Sequence, residues 1–118
     1  MEAEVCYMEL DVDSLAVCQP EKNGHYECCR IFYNEIDKIV EGTLRGVPEF
    51  YIVLNDQKER ESFFLLDEEE QNRNIFRVRS FGFDHQKFIE FYRKLRWNVP
   101  GRVRIIGTKN QDVWNLRK

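Results

Sequence analysis

The sequence predicts a small α+β domain that is mainly β: a bent antiparallel sheet, or partly open barrel, of about seven strands closed by one helix. The chain has 118 residues, the size of one compact domain. Short runs in which apolar residues alternate with others recur up to about residue 81. One amphipathic segment follows at about residues 84–96, and an additional strand-like run follows it near the C-terminus.

The strands are predicted from their period of two. They cover residues 4–11, 15–19, 26–33, 49–55, 61–66 and 74–81. Residues 36–40 fit either a strand or one helical turn. The run 49–55 is apolar on both faces, which is typical of a central, well-covered strand. The dipeptide Asn23, Gly24 predicts a hairpin turn, and the glycines and proline of residues 42–48 predict a loop.

The helix is predicted from a stripe of apolar residues and from the residues at its two ends. Phe88, Phe91, Tyr92 and Leu95 recur at i, i+3, i+4 and i+7, which places them on one face. Asp84 can cap the first turn by accepting a hydrogen bond from an unpaired N–H. Pro100 and the glycine after it end the helix.

Composition and cysteine placement bound the class of protein. With 42% hydrophobic and 33% charged residues, the chain is typical of a globular domain, and no apolar run reaches the ~20 residues of a membrane span. The N-terminal residues lack the pattern of a signal peptide. We therefore expect a cytoplasmic protein in which Cys6, Cys18, Cys28 and Cys29 are reduced thiols.

Charge is distributed unevenly along the chain. Residues 71–118 hold twelve of the 18 lysines and arginines but only three of the 21 acids. Two interpretations stay open: a basic binding face, or a basic half folded against an acidic half. The acidic total favours the second.

One segment resembles the signature of bacterial pleckstrin-homology-like (PH-like) domains. Residues 29–39 form an apolar strand ending in Tyr33, followed by a polar pair, Ile36, two further polar residues and Ile39. The likeness covers about residues 7–97. It implies a bent seven-stranded sheet with the helix at one open end, and hence one PH-like domain over residues 1–118 with its core at about 5–97.

The chain departs from that family pattern in two places. Residues 102–106 look like an added strand within a C-terminal strand and tail (101–118). That strand could extend the sheet, pair with a neighbouring copy, or carry the helix against another surface. The first hairpin loop holds Asp11 and Asp13 where lipid-binding relatives hold lysines and arginines, so we do not expect phosphoinositide binding.

Four arginines are candidate partner-binding residues. Arg77 and Arg79 are two residues apart, as are Arg102 and Arg104, so each pair lies on one face of a strand. Basic strands with aromatic neighbours can hold single-stranded nucleic acid or another anionic partner. Alternatively, these arginines cover the outer sheet face and pair with the acidic N-terminal half.

Trp114 is the fifth candidate, since a tryptophan in a polar tail either docks on its own domain or anchors a partner. We predict no catalytic, cofactor or metal site. His25 and His85 lack ligand spacing and cannot form a triad, and the acidic run 67–70 lacks calcium-loop spacing.

The sequence therefore predicts a non-enzymatic protein-binding or scaffolding module, with a protein partner or a second copy of itself. Nucleic-acid or anion binding through the arginine-bearing strands is the first alternative. A small enzyme with an unrecognised site is the second.

Overall fold

A computed structural model describes residues 6–20, 24, 26–55, 63–65 and 74–107. Within them, seven strands precede one α-helix and one strand follows it. The elements are β1 (Tyr7–Leu10), β2 (Ser14–Pro20), β3 (Tyr26–Phe32), β4 (Ile36–Leu44), β5 (Val47–Leu54), β6 (Phe63–Leu65), β7 (Ile75–Arg79), α1 (His85–Asn98) and β8 (Arg104–Ile106). The mainly β, α+β class is confirmed.

The strands form two four-stranded sheets. Sheet A has the order β1-β2-β3-β6 and sheet B the order β7-β5-β4-β8. The described parts of the two sheets do not close into a barrel. A 3₁₀ turn (Tyr33–Glu35) carries the chain from β3 in sheet A to β4 in sheet B. The apolar run at 36–40 is thus the start of a strand, and the helical turn precedes it.

The loop predicted over residues 42–48 is wrong. β4 and β5 are long strands joined by a two-residue turn, in which Arg45 and Gly46 have φ angles of 54° and 77°. Two consecutive positive φ values match the right-handed twist of a hairpin. The sequence did not indicate this turn, because arginine, the residue at position 45, does not favour a positive φ. The hairpin turn predicted at Asn23 lies outside the described residues.

β5 is central, as its two apolar faces predicted, because it pairs with β4 on one side and β7 on the other. The added C-terminal strand is present in part, since β8 covers only Arg104–Ile106 of the predicted residues 102–106. β8 pairs in parallel with β4 of the same chain, and Ile39 lies opposite Ile105. The run therefore extends the sheet, although a parallel pair was not expected.

The apolar face of the helix belongs to the core. Its buried residues Phe88, Ile89, Phe91, Tyr92 and Leu95 belong to the same apolar cluster as residues from both sheets. The Phe50 ring lies 4.7 Å from the Tyr92 ring and 5.8 Å from the Phe88 ring, centroid to centroid. Tilted aromatic pairs at such distances stabilise a fold beyond the area they bury.

Both predicted helix ends are close to those observed. The Asp84 carboxylate accepts a hydrogen bond of 3.1 Å from the Lys87 N–H, so it is the N-cap. The helix continues two residues past the predicted end and stops at Asn98, before Pro100.

Gln19 joins the two sheets at their seam. Its side chain is fully buried and donates to the Arg77 carbonyl at 2.7 Å, while the Arg79 N–H donates to its Oε1 at 2.9 Å. The Gln19 amide therefore pairs with one carbonyl and one N–H of β7, as the backbone of a neighbouring strand would. These two bonds help to hold β2 against β7.

The expectation of four reduced thiols is wrong for two of them. Cys18 and Cys28 lie directly opposite each other on β2 and β3, with Cα atoms 4.1 Å apart, and form a disulfide. Spacing along the chain does not reveal this bond, because it depends on the strand register. Cys29 points to the opposite face and is buried in the core, and Cys6 is half-buried.

Candidate protein-binding groove

β1 is an edge strand. The turn that follows it shows which residues of β1 direct their backbone N–H and C=O groups towards β2. The Asp11 N–H donates to the Ser14 carbonyl at 2.7 Å and closes the β1–β2 turn. Bonded pairs recur at every second residue of an antiparallel ladder. Tyr7 and Glu9 therefore direct their backbone groups towards β2. Met8 and Leu10 direct theirs towards the outer edge of sheet A, where the described residues supply no further strand.

A groove separates this edge from the helix. We define the β1–α1 groove by its lining residues: Cys6, Tyr7, Met8, Leu10, Phe83, Asp84, Lys87, Glu90, Phe91 and Lys94. Its volume is about 520 Å³. The Met8 and Leu10 side chains are half-buried against the core and form its apolar floor with Phe91. The groove thus combines an apolar floor with strand backbone that no described strand pairs with.

The groove continues towards the C-terminal end of the helix. A second cavity of about 480 Å³, which we call the Trp97 pocket, is lined by Leu10, Arg93, Lys94, Trp97 and Asn98. It shares Leu10 and Lys94 with the β1–α1 groove. The Trp97 side chain is 88% exposed although the helix buries five other apolar residues. A surface of this composition is typical of sites that bind proteins.

The cations along the helix differ in their surroundings. Arg96 lies 3.7 Å from a Glu41 carboxylate oxygen and 5.8 Å from the centre of the Tyr92 ring. Its charge therefore offsets that of Glu41 beneath the helix. Arg93 and Lys94 line the Trp97 pocket.

Two of the predicted arginines form ion pairs with acids of the N-terminal half. Arg77 lies 2.8 Å from Glu49, which also accepts a 2.6 Å hydrogen bond from the Tyr51 hydroxyl. Arg79 lies 2.7 Å from Glu27 and also donates to the Pro20 carbonyl. Here the acidic and basic halves of the chain are folded against each other.

The other predicted arginines are not gathered into one site. Arg104 lies on the same outer face of sheet B as Arg77 and Arg79, directly opposite Lys38. Arg102 instead donates to the carbonyls of Asn34 and Ile36, at 2.6 and 2.7 Å, and so holds the start of β4. Trp114 lies outside the described residues, as do His25 and the acidic run 67–70.

Sequence reasoning did not identify the groove, because it depends on the distance between an edge strand and a helix that are far apart in the chain. One local signal was present. Trp97 follows the helical stripe but does not continue it, so a large aromatic residue is left outside the core.

Four described side chains have a raised pKa, and each of them is explained by burial or by a hydrogen bond within the fold. Burial is the largest cause that raises the pKa of the Cys29 thiol and of the Tyr33 and Tyr92 hydroxyls. For Tyr51, the main cause of the raised pKa is its hydrogen bond to Glu49. Within the described ranges, no group of three or more His, Cys, Asp or Glu residues is arranged to hold a metal ion.

Comparison with protein-family models, curated proteins and solved structures finds no significant match for this chain. Among the described residues, no helix is both long and apolar enough to cross a bilayer.

Proposed function

We propose that this protein is a non-enzymatic protein-binding module that adds an extended segment of a partner to β1. The observation that carries the proposal is the outward orientation of the Met8 and Leu10 backbone groups beside an apolar groove. An added strand gains affinity from main-chain hydrogen bonds, and alternate side chains entering the groove supply specificity. Edge strands are usually blocked when they have no such role.

Selection from a phage-displayed library of random peptides tests this proposal. The decisive variant is Met8→Pro, which removes an N–H that faces the outer edge and leaves the ladder with β2 intact. Met8→Ala is the matched control, because it shortens the side chain comparably but keeps the N–H. We expect the selected peptides to bind the wild type and Met8→Ala and to lose binding to Met8→Pro.

Amide hydrogen exchange gives a second readout that does not depend on the proline variant folding. Exchange at Met8 and Leu10 should slow in the complex with a selected peptide, while Tyr7 and Glu9 change little. The proposal is overturned if no peptide is enriched, or if the enriched peptides leave exchange at Met8 and Leu10 unchanged.

We further propose that the domain is PH-like. The order of the described elements supports this assignment, since seven strands precede a helix whose apolar face belongs to the same core as both sheets. The signature segment also lies at the passage from β3 to β4, with Tyr33 in the 3₁₀ turn and Ile36 and Ile39 in the core. An experimental structure with a strand connectivity foreign to PH-like domains would refute the assignment.

Anion binding, including nucleic acid, is a second candidate function. It is favoured by the directly opposed Lys38 and Arg104, because like charges at such positions repel unless an anion lies between them. Binding of a single-stranded oligonucleotide should weaken with added salt and with the double variant Lys38→Gln, Arg104→Gln. Absence of binding at low salt would eliminate this candidate.

The proposed location is the cytoplasm. The Cys18–Cys28 disulfide argues against it, since such bonds persist in oxidising compartments. Trapping the thiols with an alkylating reagent in intact cells decides the question: a reduced pair supports the cytoplasm, and an oxidised pair supports an oxidising compartment.

A further inference from the structure

We infer that the segment added to β1 is β1 of a second copy of this chain, and that the two α1 helices then lie antiparallel across a two-fold axis. This inference rests on the proposed strand addition and names the partner. It is drawn from three features of the β1–α1 groove: the outer edge of β1, the order of the charges along α1, and the alignment of the strand with the helix.

β1 can pair with β1 of a second copy without placing acids opposite each other. The outward backbone groups belong to Met8 and Leu10. A two-fold axis at Met8 makes the two Met8 residues a hydrogen-bonded pair and places Tyr7 opposite Glu9 of the second copy. An axis at Glu9 would instead place two glutamates opposite each other, and an axis at Leu10 would place Glu9 opposite Asp11. Because like charges at opposed positions destabilise a sheet, the axis at Met8 is favoured over these two.

The charges of α1 that line the groove are self-complementary about the middle of the helix. In chain order they are Asp84, Lys87, Glu90 and Lys94, so acids and bases alternate. All four side chains are exposed, and within the described residues none of them forms an ion pair. When two such helices lie antiparallel, Lys87 meets Glu90 of the second copy and Asp84 meets its Lys94. The two-fold axis makes each of these contacts twice.

One two-fold axis fits both the strand and the helix. The start of β1 lies beside the start of α1, because the Cys6 sulfur is 3.8 Å from the position of a Cβ at Gly82. The end of β1 lies beside the end of α1, where Leu10 and Lys94 line the Trp97 pocket. Met8 therefore lies beside the middle of the helix, which is also the centre of the charge pattern. An axis through Met8 and perpendicular to the sheet leaves both helices on the same face, where they can meet.

The antiparallel arrangement also brings together two exposed aromatic side chains. Trp97 is 88% exposed near the end of α1, and Phe81 is 70% exposed shortly before its start. They are about equally far from the centre of the charge pattern, so Trp97 of one copy lies level with Phe81 of the other. Contact between them would remove apolar surface from water. The helix dipoles favour the same arrangement, since the N-terminal end of each helix lies beside the C-terminal end of the other.

A pair of charge-reversal variants tests the inference. Lys87→Glu places two glutamates at each of the central contacts, and Glu90→Lys places two lysines there. Copies of either variant should therefore repel each other, whereas a mixture of the two variants restores opposite charges at both contacts. Sedimentation velocity measures the mass of the assembly. With one variant isotope-labelled, native mass spectrometry distinguishes the mixed dimer from either homodimer.

We expect the wild type to dimerise and each single variant to dimerise about tenfold more weakly. The mixture should recover the wild-type affinity in its mixed dimer, and the double variant Lys87→Glu, Glu90→Lys should recover it as a homodimer. Lys38→Glu is the matched control, because it makes the same charge change on the outer face of sheet B and should leave the dimer intact.

The outcomes separate this inference from the proposed function. A wild type that stays monomeric up to its solubility limit, or single variants that dimerise as well as the wild type, overturns the inference. Library peptides that bind the wild type and lose binding to Met8→Pro would then leave strand addition standing. A dimer that responds to the charge reversals but is equally stable in Met8→Pro and Met8→Ala overturns strand addition, and with it this inference. Loss of the dimer in Met8→Pro alone, together with recovery in the mixture, supports both.

Discussion

Tyr92 on the helix donates its hydroxyl proton to a Glu41 carboxylate oxygen on β4 at 2.6 Å, and both side chains are buried. The bond joins α1 to sheet B. Arg96 approaches the same carboxylate from the surface, at 3.7 Å. The helix is thus held to the sheet by a polar contact as well as by its apolar stripe.

Tyr92→Phe should destabilise the protein by about 1.5–3 kcal/mol, because it removes a hydrogen bond to a buried charged group. The measurement is the urea dependence of unfolding. Arg96→Gln is the control: Arg96 is half-exposed and lies 3.7 Å from Glu41, so its ion pair should contribute no more than about 1 kcal/mol. If the two variants lose the same stability, the hydroxyl is not the main partner of Glu41.

The tyrosines predict a loss of stability at alkaline pH. Burial, followed by the bond to Glu41, raises the pKa of Tyr92, and the pKa values of Tyr33 and Tyr51 are also raised above their usual 10.0. A group with a raised pKa in the folded state contributes stability that is fully present below its unfolded pKa. This stability is lost as the pH rises further, because the unfolded chain releases its proton first.

We therefore expect the free energy of unfolding to fall above about pH 9, where the unfolded Cys29 thiol ionises, and more steeply above about pH 10, where the tyrosines ionise. Urea titrations at a series of alkaline pH values measure this decline. Tyr92→Phe should show a shallower decline than the wild type, although it is less stable at neutral pH. Parallel declines for the two proteins would show that Tyr92 does not contribute.

Loss of the Gln19 amide should destabilise the protein where the two sheets meet. Gln19→Leu should cost roughly 2–4 kcal/mol, because it leaves the Arg77 carbonyl and the Arg79 N–H without a partner. Thermal unfolding measures the change. Gln86→Leu, on an exposed face of the helix, is the matched control and should stay within about 0.5 kcal/mol of the wild type.

Local features of this fold were predictable from the sequence, and long-range ones were not. The helix followed from Asp84 and its apolar stripe, because a cap and a period of 3.6 need only neighbouring residues. The bonds from Gln19 to β7 join residues about 60 positions apart, so no local pattern encodes them. The β1–α1 groove has the same origin, since its two walls come from opposite ends of the described chain.

The turn before the helix requires glycine at position 82. Its φ is 91°, and a Cβ added there would lie 2.5 Å from Cγ of Pro20. Gly82→Ala should therefore destabilise by about 1–3 kcal/mol, through both the strained backbone and the clash. Gly101→Ala is the control, because nothing lies within 4 Å of the added atom and its φ is not in the left-handed region. Equal chemical denaturation midpoints for the two variants would contradict this account.

The Cys18–Cys28 disulfide predicts that the stability of the domain depends on redox conditions. The bond joins residues ten positions apart, and closing a loop of this size in the unfolded chain corresponds to about 2–3 kcal/mol. Addition of dithiothreitol should lower the stability of the wild type by up to that amount. The double variant Cys18→Ser, Cys28→Ser should be insensitive to the reductant, because the two remaining cysteines, Cys6 and Cys29, are reduced thiols. The contrary result would be a wild-type protein that unfolds identically with and without reductant while mass spectrometry shows the bond reduced. The pairing of β2 with β3 would then be sufficient without the disulfide.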